Sequence, residues 1–310
     1  MASGTAPKGA SLAKRIYRNR GLYLVLLPGM IFFAIFAYGP MPGIQLAFKR
    51  YSNKLGIWGS EWVGLANFKL IFMKPEFSTA LTNTLIISFM KIVVGFWVPI
   101  VIAICINELT NRKLSRTLQT IFTFPHFLSW VILAGILSNF LGTDGVVNNA
   151  IVLLGGRKIN MLANAGVFRW LLVFTDIWKE AGWSCIMYLA AIASIDSALY
   201  ESATIDGANR LQRALYITLP GISGMAAILL VLQVGNAMNA NFDQIFNLYN
   251  PPVFSTGDVL DTYIYRVSFQ QQANFGFSTA VSLFKGGVNF ILLAGANIIK
   301  TKIDGQSILD

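Results

Sequence analysis

Charge is what this sequence is short of. Only 12% of its 310 residues are Asp, Glu, Lys or Arg, about half the share of a typical soluble domain. So few charges leave too little polar surface to cover a water-soluble globule of this size. With 55% hydrophobic residues and a mean hydropathy of +0.59, the chain reads as an integral membrane protein. Metal-ligating residues are scarce too. One histidine, His126, and two cysteines, Cys105 and Cys185, share no ligand spacing, so no Cys/His cluster can hold zinc. Both cysteines lie in apolar runs and read as small buried hydrophobes. The catalytic signatures H-E-x-x-H and G-x-S-x-G are missing, and the only candidate carboxylate pair is Asp176 with Glu180. No G-x-x-x-x-G-K-[S/T] loop occurs, so the chain cannot cradle ATP by that route.

What the chain has instead is long apolar runs. Six stretches are long enough to cross a bilayer: 22–47, 82–106, 117–141, 167–194, 219–240 and 277–299. The first exceeds the roughly 7–15 residues of a signal-peptide core and lacks a small-x-small cleavage site, so it should remain as an anchor. This divides the chain into a basic tail (1–20), a six-span domain (21–300) and a short C-terminal tail (301–310). Prolines 28, 40, 42, 99 and 125 imply kinks. The net charge of +10 reflects Lys and Arg beside the spans rather than a nucleic-acid surface. Their distribution slightly favours both termini in the cytoplasm, with Arg112, Lys113, Arg116, Arg210, Arg213, Lys300 and Lys302 on the same side. On the other side, 241–276 is the longest connection, and Val259, Tyr263 and Val267 recur at helical spacing, as in short helices at the membrane interface.

Between the fourth and fifth spans lies "DSALYESATIDGANRLQRALYITLPG". Leu199, Ala203, Gly207, Leu211 and Leu215 recur every four residues, which predicts one helix with a weakly apolar stripe. Asp196 or Ser197 can cap its start, and Pro220 suits the first turn of the next span. Gly207 would cost about 1 kcal/mol inside a helix, so a bend or the close approach of another chain explains it better. An amphipathic connector lying in the headgroups would show the same periodicity.

The spacing adds more. The segment resembles the EAA motif of the permease subunits of binding-protein-dependent ABC importers: Glu-Ala-Ala, three residues, Gly, nine residues, Ile-x-Leu-Pro. Glu201, Ala203, Gly207, Ile217, Leu219 and Pro220 fall on it in register, with Ser202 for the first alanine. "FAYGPMPGIQLAFKRYSN", "FPHFLSWVILAGI", "DIWKEAGWSCIMYLAAIASID", "FDQIFNLYNPP" and "DVLDTYIYR" resemble the carbohydrate-uptake branch, near the polysaccharide-type relatives of the maltose permease.

The resemblance implies an all-α, six-span type I importer permease in a bacterial inner membrane, with 195–220 as a cytoplasmic coupling loop. Glu201, Ser202, Ala203, Asp206, Gly207, Ala208, Leu219 and Pro220 would couple it to an ATPase, Glu201 by polar contact and Gly207 as the turn. The implied partners are a second homologous permease, two ATPase copies holding ATP and Mg, and an extracytoplasmic sugar-binding protein. No cofactor is expected in this chain itself.

Ionisable groups within spans are costly and mark candidate function. Lys91, Asp176, Lys179, Glu180 and Lys285 qualify. Asp176, Lys179 and Glu180 share one helix and form either an internal ion-paired cluster or part of a sugar pathway. Trp178, Trp183 and Tyr188 offer flat faces for sugar rings, or for packing. Gln233 and Asn236 on the fifth span carry donors and acceptors suited to hydroxyls. By resemblance, the pathway residues are Lys179, Glu180, Trp183, Gln233 and Asn236, while His126 reads as a packing or interhelix hydrogen-bonding residue, with direct sugar contact as the alternative. The three span lysines also suggest a cationic wall for an acidic, uronate-containing oligosaccharide such as alginate or pectin fragments. The rival readings are a secondary transporter driven by an ion gradient and an ABC permease for a non-sugar solute.

Overall fold

The computed structural model describes residues 16–271 and 273–304, so most of the two expected tails, 1–15 and 305–310, lies outside the described residues. Four helical segments are long and apolar enough to cross a membrane, and six if two bent pairs each count as one span.

The centre is a pair of long helices, α2 (Pro75–Asn107) and α5 (Ala165–Ala193). Proline sits in the first turn of α2, where its missing N–H costs nothing, and the Asn164 side chain caps α5 by accepting from Gly166 N. The buried side of α2 recurs at helical spacing through Phe77, Ala80, Asn83, Thr84, Ile87 and Ser88. The two helices run in the same direction: Ile87 joins Leu171 and Leu172 in one apolar cluster, while Ile100, Ala103 and Ile106 meet Cys185, Tyr188 and Ile192 in another. Their C-terminal ends therefore lie on one side. Around them pack α3 (Arg112–Thr123), α4 (Trp130–Leu141), α6 (Ser197–Ile205), α7 (Ser223–Gly235), α8 (Phe242–Leu248), α9 (Leu260–Tyr265) and α10 (Phe275–Asp304). At the opposite end a two-stranded antiparallel ribbon pairs β1 (Lys49–Arg50) with β2 (Glu61–Trp62).

The first span stands apart. Helix α1 (Arg20–Phe33) continues as a π-turn over Ala34–Tyr38 and a 3-10 helix over Met41–Phe48, and every residue from Arg20 to Pro42 is exposed. The π-turn precedes Pro40, and Gly39 N–H reaches back to Ala34 O.

Three expectations are corrected. The run 117–141 is not one helix: Pro125 lies in a 3-10 turn, Phe124–Phe127, that separates α3 from α4. The run 219–240 ends as helix at Gly235, and the unwound Met238 N–H is satisfied by Asn289 Oδ1 of α10 at 2.9 Å. The short helices after residue 241 do form, but Val259, Tyr263 and Val267 are buried in the interior rather than set at a membrane surface. Of the cysteines, Cys185 is buried and Cys105 is exposed.

Candidate functional site

Helices α2, α5 and α7 enclose a cleft of about 210 Å³, lined by Ser88, Lys91, Asp176, Glu180, Gln233 and Asn236 among others. That is room for at least one sugar ring. Two of its buried oxygens, Ser88 Oγ and Gln233 Oε1, have no hydrogen-bond partner among the described residues. Unpaired buried polar atoms are uncommon, and both belong to residues that line this cleft. Both oxygens are closed off as placed, and a turn of either side chain would present its oxygen to a hydroxyl in the cleft.

The structure thus brings Glu180, Gln233 and Asn236 together and sets two other expected pathway residues behind them. Lys179 is buried, bonding His126 O at 2.7 Å and Glu180 Oε1 at 2.9 Å, with its ammonium over the Trp130 ring. Trp183 stacks on His126 at 4.5 Å between ring centroids, with an interplanar angle of 6°. His126 Nδ1 lies 2.7 Å from Glu180 Oε2. Lys179, His126 and Trp183 therefore brace the break between α3 and α4 against α5. Tyr188 is core, and Trp178 is exposed away from the cleft lining. Sequence reasoning missed Ser88 as a lining residue, since a lone serine in an apolar run carries no signal.

The span lysines do not form a free cationic wall. Lys91 pairs with Asp176 at 3.1 Å, Lys179 with Glu180, and Lys285 with Asp261. Each positive charge has its carboxylate in the fold, which removes the electrostatic basis for the cationic-wall argument.

At the end where α2 and α5 finish, 195–220 forms a hairpin rather than the single helix its periodicity predicts. Asp196 caps α6 by accepting from Ala198 N at 3.0 Å. Helix α6 stops at Ile205, and Gly207 takes φ +78°, a left-handed turn that favours glycine. Asn209 and Gln212 then close a capping box that starts a new helical turn. A π-turn over Ala214–Thr218 leads to Pro220 in the first turn of the next helix. The stripe from Leu199 to Leu215 is therefore divided between two helices. Within the hairpin Arg213 donates to Thr204 Oγ1, and Tyr200 bonds Thr218. Arg210 donates to Glu108 O at the end of α2. Glu201, Ser202, Asp206 and Gly207 are exposed, and the Glu201 carboxylate has no partner among the described residues. Ala203 and Ala208 are half-buried, as is Leu219.

A family model for the binding-protein-dependent transport system inner membrane component matches residues 92–304. The chain belongs to this family. It is a membrane permease subunit, whose work is transport rather than catalysis. Protein LplB of Bacillus subtilis is 42% identical over 98% of this chain and 96% of its own length. The polygalacturonan/rhamnogalacturonan transport system permease protein YteP of the same organism is 41% identical over 97% and 94%. Among solved structures, a chain of a bacterial alginate ABC transporter, in complex with its alginate pentasaccharide-bound periplasmic protein, has 39% identity and a TM-score of 0.88. The match covers 96% of this chain and 99% of that one.

Proposed function

We propose that this permease subunit carries oligosaccharides, of the uronate-containing kind, through an ATP-driven importer. The observation that supports this reading most is likeness along the whole chain, in sequence and shape, to permeases of polygalacturonan and alginate transporters. The cleft agrees with it, since hydroxyl-bearing rings suit the unpaired Ser88 and Gln233 oxygens and the amide of Asn236.

The 195–220 hairpin faces the cytoplasm in this reading, which puts both termini there, and it docks on an ATPase that binds ATP and Mg. Exposed Glu201 is the polar contact and Gly207 the turn that presents it. A second, homologous permease completes the pathway. Helix α1 supports that partner, because an apolar span without one buried residue has its whole surface available for another subunit. A loaded extracytoplasmic binding protein docks on the opposite end and biases the two conformations by its different affinity for them.

The test is purification of the tagged chain from its native membrane in mild detergent. Co-purification of a nucleotide-binding ATPase and a second permease, with uptake of a galacturonate trisaccharide that needs ATP, is expected. Recovery of the chain alone, with uptake driven by an ion gradient, would replace this reading with a secondary transporter.

A further inference from the structure

The Lys91 ammonium has no donor to spare. Its Nζ lies 3.1 Å from Asp176 Oδ1, 2.6 Å from Gln244 Oε1 and 3.3 Å from Ala240 O, so three N–H groups meet three acceptors. Only Asp176 among them is charged. Asp176 Oδ1 also accepts from Asn241 Nδ2 at 3.0 Å. Asn241 is the one non-glycine residue with positive φ among the described residues, at +67°. Gln244, fully buried, donates to Leu172 O and Thr175 Oγ1 of α5. The network thereby fastens α8, which follows the unwound end of α7, across α2 and α5.

An ion pair at this depth is a poor device for helix packing alone, because desolvation offsets much of the attraction. Farther along the same interface, α2 and α5 pack through apolar residues such as Ile100, Ala103, Tyr188 and Ile192. The pair sits instead on the wall of the cleft, with side chains 12% and 19% exposed. Among the described residues, Lys91 is the only cation lining that cleft.

We propose that Asp176 is a resident stand-in for the substrate's carboxylate, making Lys91 the residue that selects an acidic sugar. The proposal rests on the reading of the substrate as a uronate oligosaccharide. When a uronate ring enters the cleft, its carboxylate takes the Lys91 ammonium and Asp176 turns to the water in the cleft. One anion replaces another, so the buried cation is never left unpaired. A neutral ring offers hydroxyls but no charge, and Asp176 keeps its place. Departure of Asp176 also removes the acceptor that holds the Asn241 side chain, so occupancy of the cleft loosens α8.

The test uses the complete complex in proteoliposomes, with a galacturonate trisaccharide and its methyl ester as probes. The readout is the ratio of the two KM values. Lys91→Gln should shift the ratio against the acid by about tenfold, the equivalent of ~1.4 kcal/mol. Asp176→Asn, which frees the ammonium, should shift it severalfold toward the acid, and Lys91→Arg should keep it near the wild-type value. If the Asp176 variant fails to assemble, the Lys91→Gln and Lys91→Arg pair still decides. An unchanged ratio with transport of both probes falling together would overturn the proposal and leave the pair as a helix clamp. Failure of wild type to move either probe would overturn the substrate reading and this proposal with it, and is distinct because no variant is needed to see it.

Discussion

Gly182 of α5 lies against the backbone of Phe122 so closely that a β-carbon there would meet the Phe122 carbonyl oxygen at 2.0 Å. Backbone cannot yield as a side chain can, so α3 seats on α5 only because residue 182 is glycine. Gly182→Ala should push α3 away and cost about 1–3 kcal/mol, the usual penalty for overpacking. Gly224→Ala is the control, since nothing lies within 4 Å of its would-be β-carbon inside α7. A drop in the thermal midpoint of the detergent-purified protein for Gly182→Ala, with none for Gly224→Ala, is the expected result. Equal behaviour of the two would mean the contact is looser than described.

The long connection between α7 and α10 is held by Asp258 and Arg266. The guanidinium meets both carboxylate oxygens, at 3.0 and 2.5 Å, and Thr262 Oγ1 adds a third hydrogen bond. Burial alone would lower the Arg266 pKa, yet hydrogen bonding and charge from Asp258 hold it above the ordinary guanidinium value. Asp258→Asn leaves a half-buried cation without its partner, which should cost about 3–5 kcal/mol. Urea or thermal unfolding of the purified chain measures it, and a cost of a few tenths would show that water reaches the site.

The two groups of expected pathway residues should separate in kinetics. Gln233→Ala removes an unpaired oxygen from the cleft and should raise KM for the transported sugar about 5–10-fold, near the worth of one hydrogen bond. Trp183→Ala removes the ring stacked on His126 and should lower the thermal midpoint while KM moves little. The reverse pattern would bring Trp183 back to the sugar and take Gln233 away.

Much of this was legible in the sequence, and what was not has physical causes. Apolar length alone marks the spans, because a bilayer imposes it. Periodicity carries less information where backbone geometry changes: the four-residue stripe from Leu199 to Leu215 continues through Gly207, but a left-handed residue there ends the helix. Pro125 signals a kink without saying that α3 and α4 become separate helices. Charges show a cost without always showing a partner: Glu180 stands next to Lys179 in the sequence, but Lys91 and Lys285 look like an excess until Asp176 and Asp261 are placed beside them. Asp261 is distant in sequence from Lys285, and no local pattern joins them.

The 195–220 hairpin, proposed above to dock on an ATPase, gives the prediction that separates a turn from a contact. Gly207 has φ +78° and open space around its would-be β-carbon in the isolated chain. If the left-handed turn is what the position supplies, coupling should follow tolerance of that conformation. Asn, which visits it readily, should work nearly as well as Gly; Ala should lose about 1–2 kcal/mol of hairpin stability; and Val should lose more. The measurement is ATPase stimulation by the loaded binding protein in the assembled complex, across Gly207→Asn, Gly207→Ala and Gly207→Val. If activity instead falls with side-chain volume, Asn failing as badly as Val, the position is a close approach to the ATPase. Gly207 would then act at the interface itself rather than by shaping the hairpin that presents Glu201.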